Sequence, residues 1–331
     1  MLRFVASKLQ EFYHHNKQSN SQTFGSMPFL KCITFVIELF VLFQRIWFAV
    51  FRVIWRMFFS APLKNVDGEN VLVTGAANGL GRLLSLAFAQ LGANLILIDI
   101  DEDGLRDTEK AVKYFGKKVR IYVCDLSQRS DIYRTVSEIQ NDFAGVDFIV
   151  NNAGIVSGTN FLECPDENLA KIFEVNTLAY MWITKAFLPS MLARNHGHIV
   201  NIASTSGYIG SNGLIDYCTS KFATVGFSES IQCELRKVRR TGVKVTIVAP
   251  SYFKSGMFAG CTSRFPRPLH LDSAVTKIMK GILRNEEVIF VPWYMQYMPL
   301  LKALLPVRAL FAILDFIGTT NFMSGYKEKE Q

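Results

Sequence analysis

Glu69–Asp99 reads ENVLVTGAANGLGRLLSLAFAQLGANLILID. An apolar run rich in β-branched residues ends at Gly75, a glycine-punctuated turn follows, the next residues repeat with helical period, and a second apolar run closes at Asp99. Strand, turn, helix and strand in that order make a βαβ unit, whose two strands are parallel and whose helix covers one face of the sheet. Gly75, Gly79 and Gly81 fall between the strand and the helix. Glycine there lets the backbone turn tightly and approach a pyrophosphate, whose charge the helix N-terminus favours. Asn78 and Leu80 complete the same turn and are read with it as dinucleotide contacts. Three glycines would also serve an ordinary tight turn, and an acid at a strand end is often only solvated. What sharpens the reading is Asp99, 24 residues after Gly75, where a carboxylate takes both ribose hydroxyls of NAD. The same charge repels a 2′-phosphate, so NAD rather than NADP is expected.

Outward from this unit, VRIYVCD, DFIVNNAG, HIVNIAS, VKVTIVAP and EVIFVP are further short β-rich runs. Helical stretches such as LAKIFEVNTLAYMWITKAFLPSML separate them. The alternation predicts an α/β fold, a doubly wound parallel sheet of the Rossmann type, forming a single catalytic domain over residues 65–292. Asp125, with Leu126 beside it, ends the third run and is placed either to touch an adenine or to cap a turn. Asn152, Ala153 and Gly154 end the fourth, where a structural turn is one reading and the family resemblance given below implies the other, a lining for the adenosine.

Tyr217 and Lys221 in DYCTSK are four apart and share one face of a helix. Such a pair is common by chance, but Ser204 stands thirteen residues upstream at the end of HIVNIAS, and Asn176 lies in FEVN. Together with TGAANGLG and NNAG, this set resembles the short-chain dehydrogenase/reductase family over residues 66–292. The resemblance implies that Tyr217 exchanges the alcohol proton, Lys221 stabilises its anion and holds the nicotinamide ribose, and Ser204 hydrogen-bonds the reacting oxygen. It also implies that Asn176 anchors a proton-relaying water. Pro250 closes the sixth strand as in the family, but Ser251 follows where the family usually has glycine. Ser255 stands where a hydroxyl can meet the nicotinamide amide. His196 and His198, in RNHGH, are read as turn residues at the opposite end of the sheet. No metal site is indicated.

The net charge of +8 is unevenly placed: residues 1–64 carry eight Lys or Arg against Glu11 and Glu38, six of the eight charges. No basic cluster of the nucleic-acid-binding kind accompanies it, so no nucleic-acid partner is expected. The six cysteines have no CxxC or framework spacing and are expected as reduced thiols. Residues 1–28 are polar and are expected to be a flexible extension, with Met27 as an alternative start. Residues 29–64 are the apolar segment. There Lys31, Glu38, Arg45 and Arg52 are each seven apart and Arg56 is four further on. A seven-residue step falls about 20° short of two helical turns, so these charges share one narrow stripe on an otherwise apolar cylinder. A spanning helix would place them in the bilayer at about 2.5–3.5 kcal/mol each. A helix lying in the interface would let them snorkel to headgroups while Phe and Trp sink among acyl chains. The interfacial reading is preferred over spanning, hairpin insertion or packing in a core. Residues 293–331 are expected to be short apolar helices, because Pro292, Pro299 and Pro306 are seven apart, serving as lid, membrane contact or both.

The apolar N-terminal segment, NNAGIVSG, FLECPDE, HGHIVNIAS, NGLIDYCTSKFA and SGMFAGC make the likeness closest to the membrane-bound retinol and 17β-hydroxysteroid dehydrogenase group of that family. The long polar extension departs from it. The resemblance implies oxidation of a lipophilic alcohol, retinol first and a steroid second, by an enzyme at the endoplasmic reticulum membrane or a lipid droplet, commonly a homodimer. The alternative is a droplet-surface scaffold with a dehydrogenase fold, against which the intact Ser204, Asn176, Tyr217 and Lys221 argue.

Overall fold

The computed structural model describes residues 28–59, 61–254 and 256–326. The expectations for the polar extension, and for Ser255, lie outside the described residues. The chain divides into two units, one ending at Pro62 and one beginning at Leu63.

Among the described residues the first unit contains one helix, α1 (Pro28–Phe58), of 31 residues. At about 1.5 Å per residue it is roughly 46 Å long. Its segment Cys32–Phe51 is long and apolar enough to cross a membrane by length and composition, and none of it is buried. Large apolar side chains, among them Phe35, Phe43, Trp47 and Phe48, point to solvent.

In the second unit a seven-stranded sheet runs β3-β2-β1-β4-β5-β6-β7, every pairing parallel. The strands are β1 (Asn70–Thr74), β2 (Asn94–Asp99), β3 (Val119–Val123), β4 (Phe148–Asn151), β5 (Gly197–Ile202), β6 (Val243–Pro250) and β7 (Val288–Val291). Helices cover both faces, so the central strands β4 and β5 are buried at every position, whereas edge strand β3 exposes Arg120 and Val123. Strand order reverses between β1 and β4. That leaves a crevice at their carboxyl ends, the place where open α/β sheets take ligands.

Helix α2 (Gly79–Gln90) follows the glycine turn, and α3 (Glu102–Lys113) starts at Asp101, whose carboxylate accepts the Gly104 N–H at 3.0 Å. Glu102 and Asp103 in its first turn and Lys110 and Lys113 in its last complement the helix dipole. Helix α4 (Arg129–Asp142) leads to β4. The long helical stretch read after β4 is interrupted: α5 (Asp166–Phe173) and α6 (Ala179–Arg194) flank a wider π-helical turn, Glu174–Leu178, that carries Asn176. Such turns are frequent at functional sites because they redirect a side chain within a continuous helix. Helix α7 (Ile215–Lys237) carries Tyr217 and Lys221, and α8 (Leu271–Leu283) packs beside α2. Beyond β7 come α9 (Met298–Leu304) and α10 (Val307–Ile317), short helices divided at Pro306.

One expectation is corrected here. His196 is an exposed turn residue bound to Glu69 at 2.9 Å, but His198 lies inside β5 and is buried. Lys64 Nζ donates to its Nδ1 at 2.5 Å, and its Nε2 meets the Thr246 hydroxyl at 2.8 Å. That hydroxyl in turn donates to the Glu286 carbonyl at 2.6 Å, so Nε2 carries the proton. Burial and the nearby ammonium groups of Lys64 and Lys244 hold the His198 pKa well below its usual value, and burial lowers Lys64 to about 7. His198 is a buried polar brace, and its partners lie 134 and 48 residues away, beyond any local pattern.

Candidate active site

The crevice is built by β1, β4 and the turns that leave them. Thr74, the last residue of β1, accepts the Asn152 and Ala153 N–H groups on its Oγ1 at 2.9 and 3.1 Å. The Asn152 amide donates back to the carbonyls of Thr74 and Gly75, at 3.0 and 3.2 Å. Gly75 has φ +65, and a Cβ there would lie 2.8 Å from Ala153 Cα. At Gly81 a Cβ would fall 2.5 Å from Asn152 Nδ2 and closer still to the Gly75 carbonyl oxygen. Gly79, φ +54, faces open space. The glycines thus do different things: two let the turn pack on the end of β4, and the third leaves the N-terminus of α2 open.

Asp99 organises the other wall. Its carboxylate accepts N–H groups of Ala77, Ile100 and Asp101, at 2.9, 2.8 and 3.2 Å. Asn78 caps nothing with its side chain; its amide donates to Asp101 at 2.9 Å, and Leu80 packs on the core. One oxygen of Asp125 accepts from both the Ser127 N–H and hydroxyl, at 2.9 and 2.7 Å, which is the turn-capping arrangement. Leu126 beside it is buried in the core.

On the far side of the crevice Ser204, Asn176, Tyr217 and Lys221 come together, all buried. Ser204 ends the β5 segment with its hydroxyl 3.4 Å from the Pro250 carbonyl and accepts the Ser206 N–H at 3.1 Å. Burial pushes the Tyr217 phenol well above its ordinary value, and a hydrogen bond with the Ser204 side chain acts in the opposite sense. Lys221 Nζ donates to the Ile202 carbonyl at 2.8 Å and stands 5.7 Å from the centre of the Tyr217 ring. Burial lowers its pKa to about 7. Asn176 receives the Ile155 N–H at 2.8 Å, and its own amide donates to the Ile155 carbonyl and the Ser220 hydroxyl, both at 3.0 Å. Its side chain therefore ties the loop after β4 to α7. Gly154 lies between the two functional groups: a Cβ there would be 3.4 Å from Asn176 Oδ1 and 3.6 Å from Lys221 Nζ.

A family model described as short chain dehydrogenase matches residues 69–264. Epidermal retinol dehydrogenase 2 of Mus musculus is 44% identical over 271 residues, 81% of this chain and 88% of that protein. The chain belongs to the short-chain dehydrogenase family. Estradiol 17-beta-dehydrogenase 11 of Homo sapiens is a second relative, 38% identical over 277 residues, 83% of this chain and 92% of that one. The crystal structure of a short-chain dehydrogenase/reductase from Burkholderia phymatum in complex with NAD shares the fold, with TM-score 0.66 at 23% identity over 73% of this chain and 95% of that one.

Short-chain dehydrogenases use a nicotinamide dinucleotide, and two observations here fit one. At Gly79 the backbone at a helix N-terminus is open to a ligand, and a Cβ there would meet nothing within 4 Å. Beyond Pro250, the Ser251 hydroxyl is buried with no hydrogen-bond partner among the described residues. Ser251 is the departure from the family's usual glycine, and its backbone still pairs with β7, donating to Val291 O at 2.8 Å.

The structure also brings forward residues the sequence reading passed over. Asp216, directly before Tyr217, is buried; its Oδ1 accepts the Tyr217 N–H at 2.6 Å and its Oδ2 the hydroxyl of Ser157. The Tyr180 hydroxyl donates to the Ala153 carbonyl at 2.7 Å, beneath Lys221. Phe258 packs edge-on against the Tyr217 ring, centroids 5.5 Å apart. Only Asp216 had a local signal, a carboxylate adjoining the tyrosine.

Proposed function

We propose that this protein is a membrane-associated alcohol dehydrogenase that moves a hydride between a lipophilic alcohol and NAD, with Tyr217 as its acid–base group. The observation that carries this reading is the convergence of Tyr217, Ser204 and Lys221 in one buried cluster beside Pro250.

Tyr217 takes the proton from the substrate hydroxyl in oxidation and returns it in reduction. A phenol raised by burial is a poor base by itself, so its anion needs a partner. An ammonium 5.7 Å from the ring stabilises that anion by about 3 kcal/mol at an effective dielectric of about 20, or about two pKa units. Lys221, when protonated, supplies this charge, held in place by the Ile202 carbonyl. Ser204 donates a hydrogen bond to the same substrate oxygen and orients it toward Tyr217. Asn176 keeps α7 and the loop after β4 in register, which fixes both Tyr217 and Lys221.

The turn Gly75–Gly81 and Asp99 would hold the pyrophosphate and adenosine ribose, with Asn152, Ala153, Gly154 and Pro250 lining the rest of the trough. The dinucleotide, when bound, supplies hydride exchange at its nicotinamide ring. The Asp99 carboxylate, with no Lys or Arg directly after it in sequence, favours NAD over NADP. The names of the relatives, a retinol and an estradiol dehydrogenase, support retinol as the first substrate class and a 17β-hydroxysteroid as the second. An apolar α1 carrying its charges on a seven-residue stripe supports docking in the plane of an endoplasmic reticulum or lipid-droplet surface, where such alcohols dissolve. Pairing of two copies through α7 completes the expected assembly.

The test is product formation by membranes carrying the wild type or Tyr217→Phe, offered all-trans-retinol or oestradiol with NAD or NADP. Tyr217-dependent retinal formation with NAD is the expected result. Turnover that survives Tyr217→Phe, or that requires NADP, overturns the corresponding part of the reading.

A further inference from the structure

The chain leaves α10 at Gly318 (φ +90) and turns back across the unit. Residues 319–326 then cross three loops that surround Tyr217. At the loop before α7, the Asn212 amide donates to the Thr320 carbonyl at 2.9 Å and Ser211 to Thr319 O at 3.4 Å. At the loop after β6, Thr262 N–H donates to the Phe322 carbonyl at 3.3 Å. Each crossing is made at a glycine. A Cβ on Gly213 would stand 3.0 Å from Met323 Cβ, one on Gly325 would stand 2.5 Å from the Gly260 carbonyl oxygen, and one on Gly158 would stand 2.5 Å from Tyr326 Cδ1. Gly158 and Gly213 also have φ +71, so neither position accepts a side chain without strain.

What the segment delivers is an apolar cover. Phe322 is buried, meets Tyr252 edge-on at 4.8 Å between centroids, and lies 5.8 Å from Phe258, the ring that packs on Tyr217. Met323 packs in the same cluster. Tyr217 belongs to the same cluster, and Ser204 and the Asp216–Ser157 pair are the buried polar groups nearest it in sequence and hydrogen bonding. Tyr217 is only 5% exposed, and Phe258, Phe322 and Met323 share its cluster.

We infer that residues 319–326 form a strap that is the outer wall of the substrate chamber, and that Phe322 and Met323 select the apolar body of the alcohol. This rests on the dehydrogenase reading given above. The ligand class is an alcohol whose hydroxyl lies at Tyr217 and whose body is apolar beyond it. An aromatic ring favours a slender, flat body, and a thioether adapts to its contour.

The test uses the full chain in lipid nanodiscs, as wild type, Phe322→Ala, Met323→Ala and Gly158→Ala. Specificity is read as kcat/KM for oestradiol relative to all-trans-retinol. Removing the ring opens room beside Tyr217 for the bulkier body and forfeits contacts to the slender one, so Phe322→Ala should move the ratio toward oestradiol by about tenfold or more. A ratio within twofold of wild type for both Phe322→Ala and Met323→Ala, or a shift toward retinol, overturns the specificity role. Amide exchange is the second readout. Gly158→Ala should displace Tyr326 and raise exchange at residues 208–214 and 258–264, with β1 and β2 as the folded control. No rise there overturns the strap. If wild type oxidises neither alcohol, the dehydrogenase reading fails on its own account and the exchange result still judges the strap.

Discussion

Gly81→Ala, Gly79→Ala and Gly75→Ala form a series in which the structure assigns each residue a different penalty. At Gly81 the added methyl would lie 2.5 Å from Asn152 Nδ2 and 2.8 Å from the Gly75 carbonyl carbon, the latter backbone that cannot rotate away. Overpacking of this kind is destabilising by about 1–3 kcal/mol. Pushing Asn152 aside also breaks its bonds to Thr74 O and Gly75 O, at about 1 kcal/mol each. Gly81 lies in the first turn of α2, where alanine returns up to about 1 kcal/mol of helix propensity. The net is about 2–4 kcal/mol, or a melting point lower by roughly 5–15 °C for a domain of this size. Gly79→Ala meets nothing within 4 Å and bears only the left-handed backbone at φ +54, about 1–2 kcal/mol. Its methyl, however, enters the open space proposed for the pyrophosphate. The two variants should therefore cross: Gly81→Ala melts earlier without nucleotide, while Gly79→Ala loses more NAD affinity than stability. Gly75→Ala, strained and crowded together, should show both losses. Thermal unfolding with and without NAD, alongside fluorescence titration of NADH, reads the series. A Gly81→Ala protein melting within about 2 °C of wild type would refute the packing argument, and NAD affinity untouched in Gly79→Ala would refute the cradle.

Stability should rise with pH above neutrality. Burial lowers Lys64 and Lys221 from 10.5 to about 7, so between those values the unfolded chain holds protons that the folded chain does not; the melting point should climb from about pH 7 to pH 9, and Lys64→Met should flatten the climb. A wild type with constant melting point over that range contradicts the assignment. Asp99→Ser should shift the NADP/NAD affinity ratio toward NADP by about ten- to a hundredfold, since it removes a charge a few ångström from a 2′-phosphate in a partly screened site; an unchanged ratio removes Asp99 from the ribose. Asp216→Ala should raise KM for the lipophilic alcohol about fivefold or more, by unpairing Ser157 and freeing the loop after β4, with Asp216→Asn restoring most of it. Equal KM values in all three proteins would leave Asp216 a helix-capping residue only.

Sequence by itself determined whatever is encoded within one turn or one strand. The Gly75–Gly81 turn was legible because a strand, a tight turn and a helix N-terminus are contiguous. Asp99 was legible because it ends the next strand, and Tyr217 with Lys221 because one helical turn puts them on one face. Ser204 followed from the end of β5 for the same reason. Tertiary structure decided everything whose partners are distant along the chain. His198 was read as a turn residue, yet its brace comes from Lys64 and Thr246, brought beside it by the β5–β6 pairing and by the segment preceding β1. Asn176 has a tie that no local pattern shows: a π-helical turn aims its amide at Ile155 and Ser220. Asp216 had a suggestive neighbour but no visible partner until Ser157, 59 residues earlier, folded onto it. The strap had only the general expectation of a lid or membrane contact over residues 293–331: NFMSGY has neither strand nor helix period, and its glycine crossings exist only after three loops have converged. Periodicity and spacing report the local geometry of the backbone, whereas the closure of a chamber depends on which distant surfaces the sheet brings into contact.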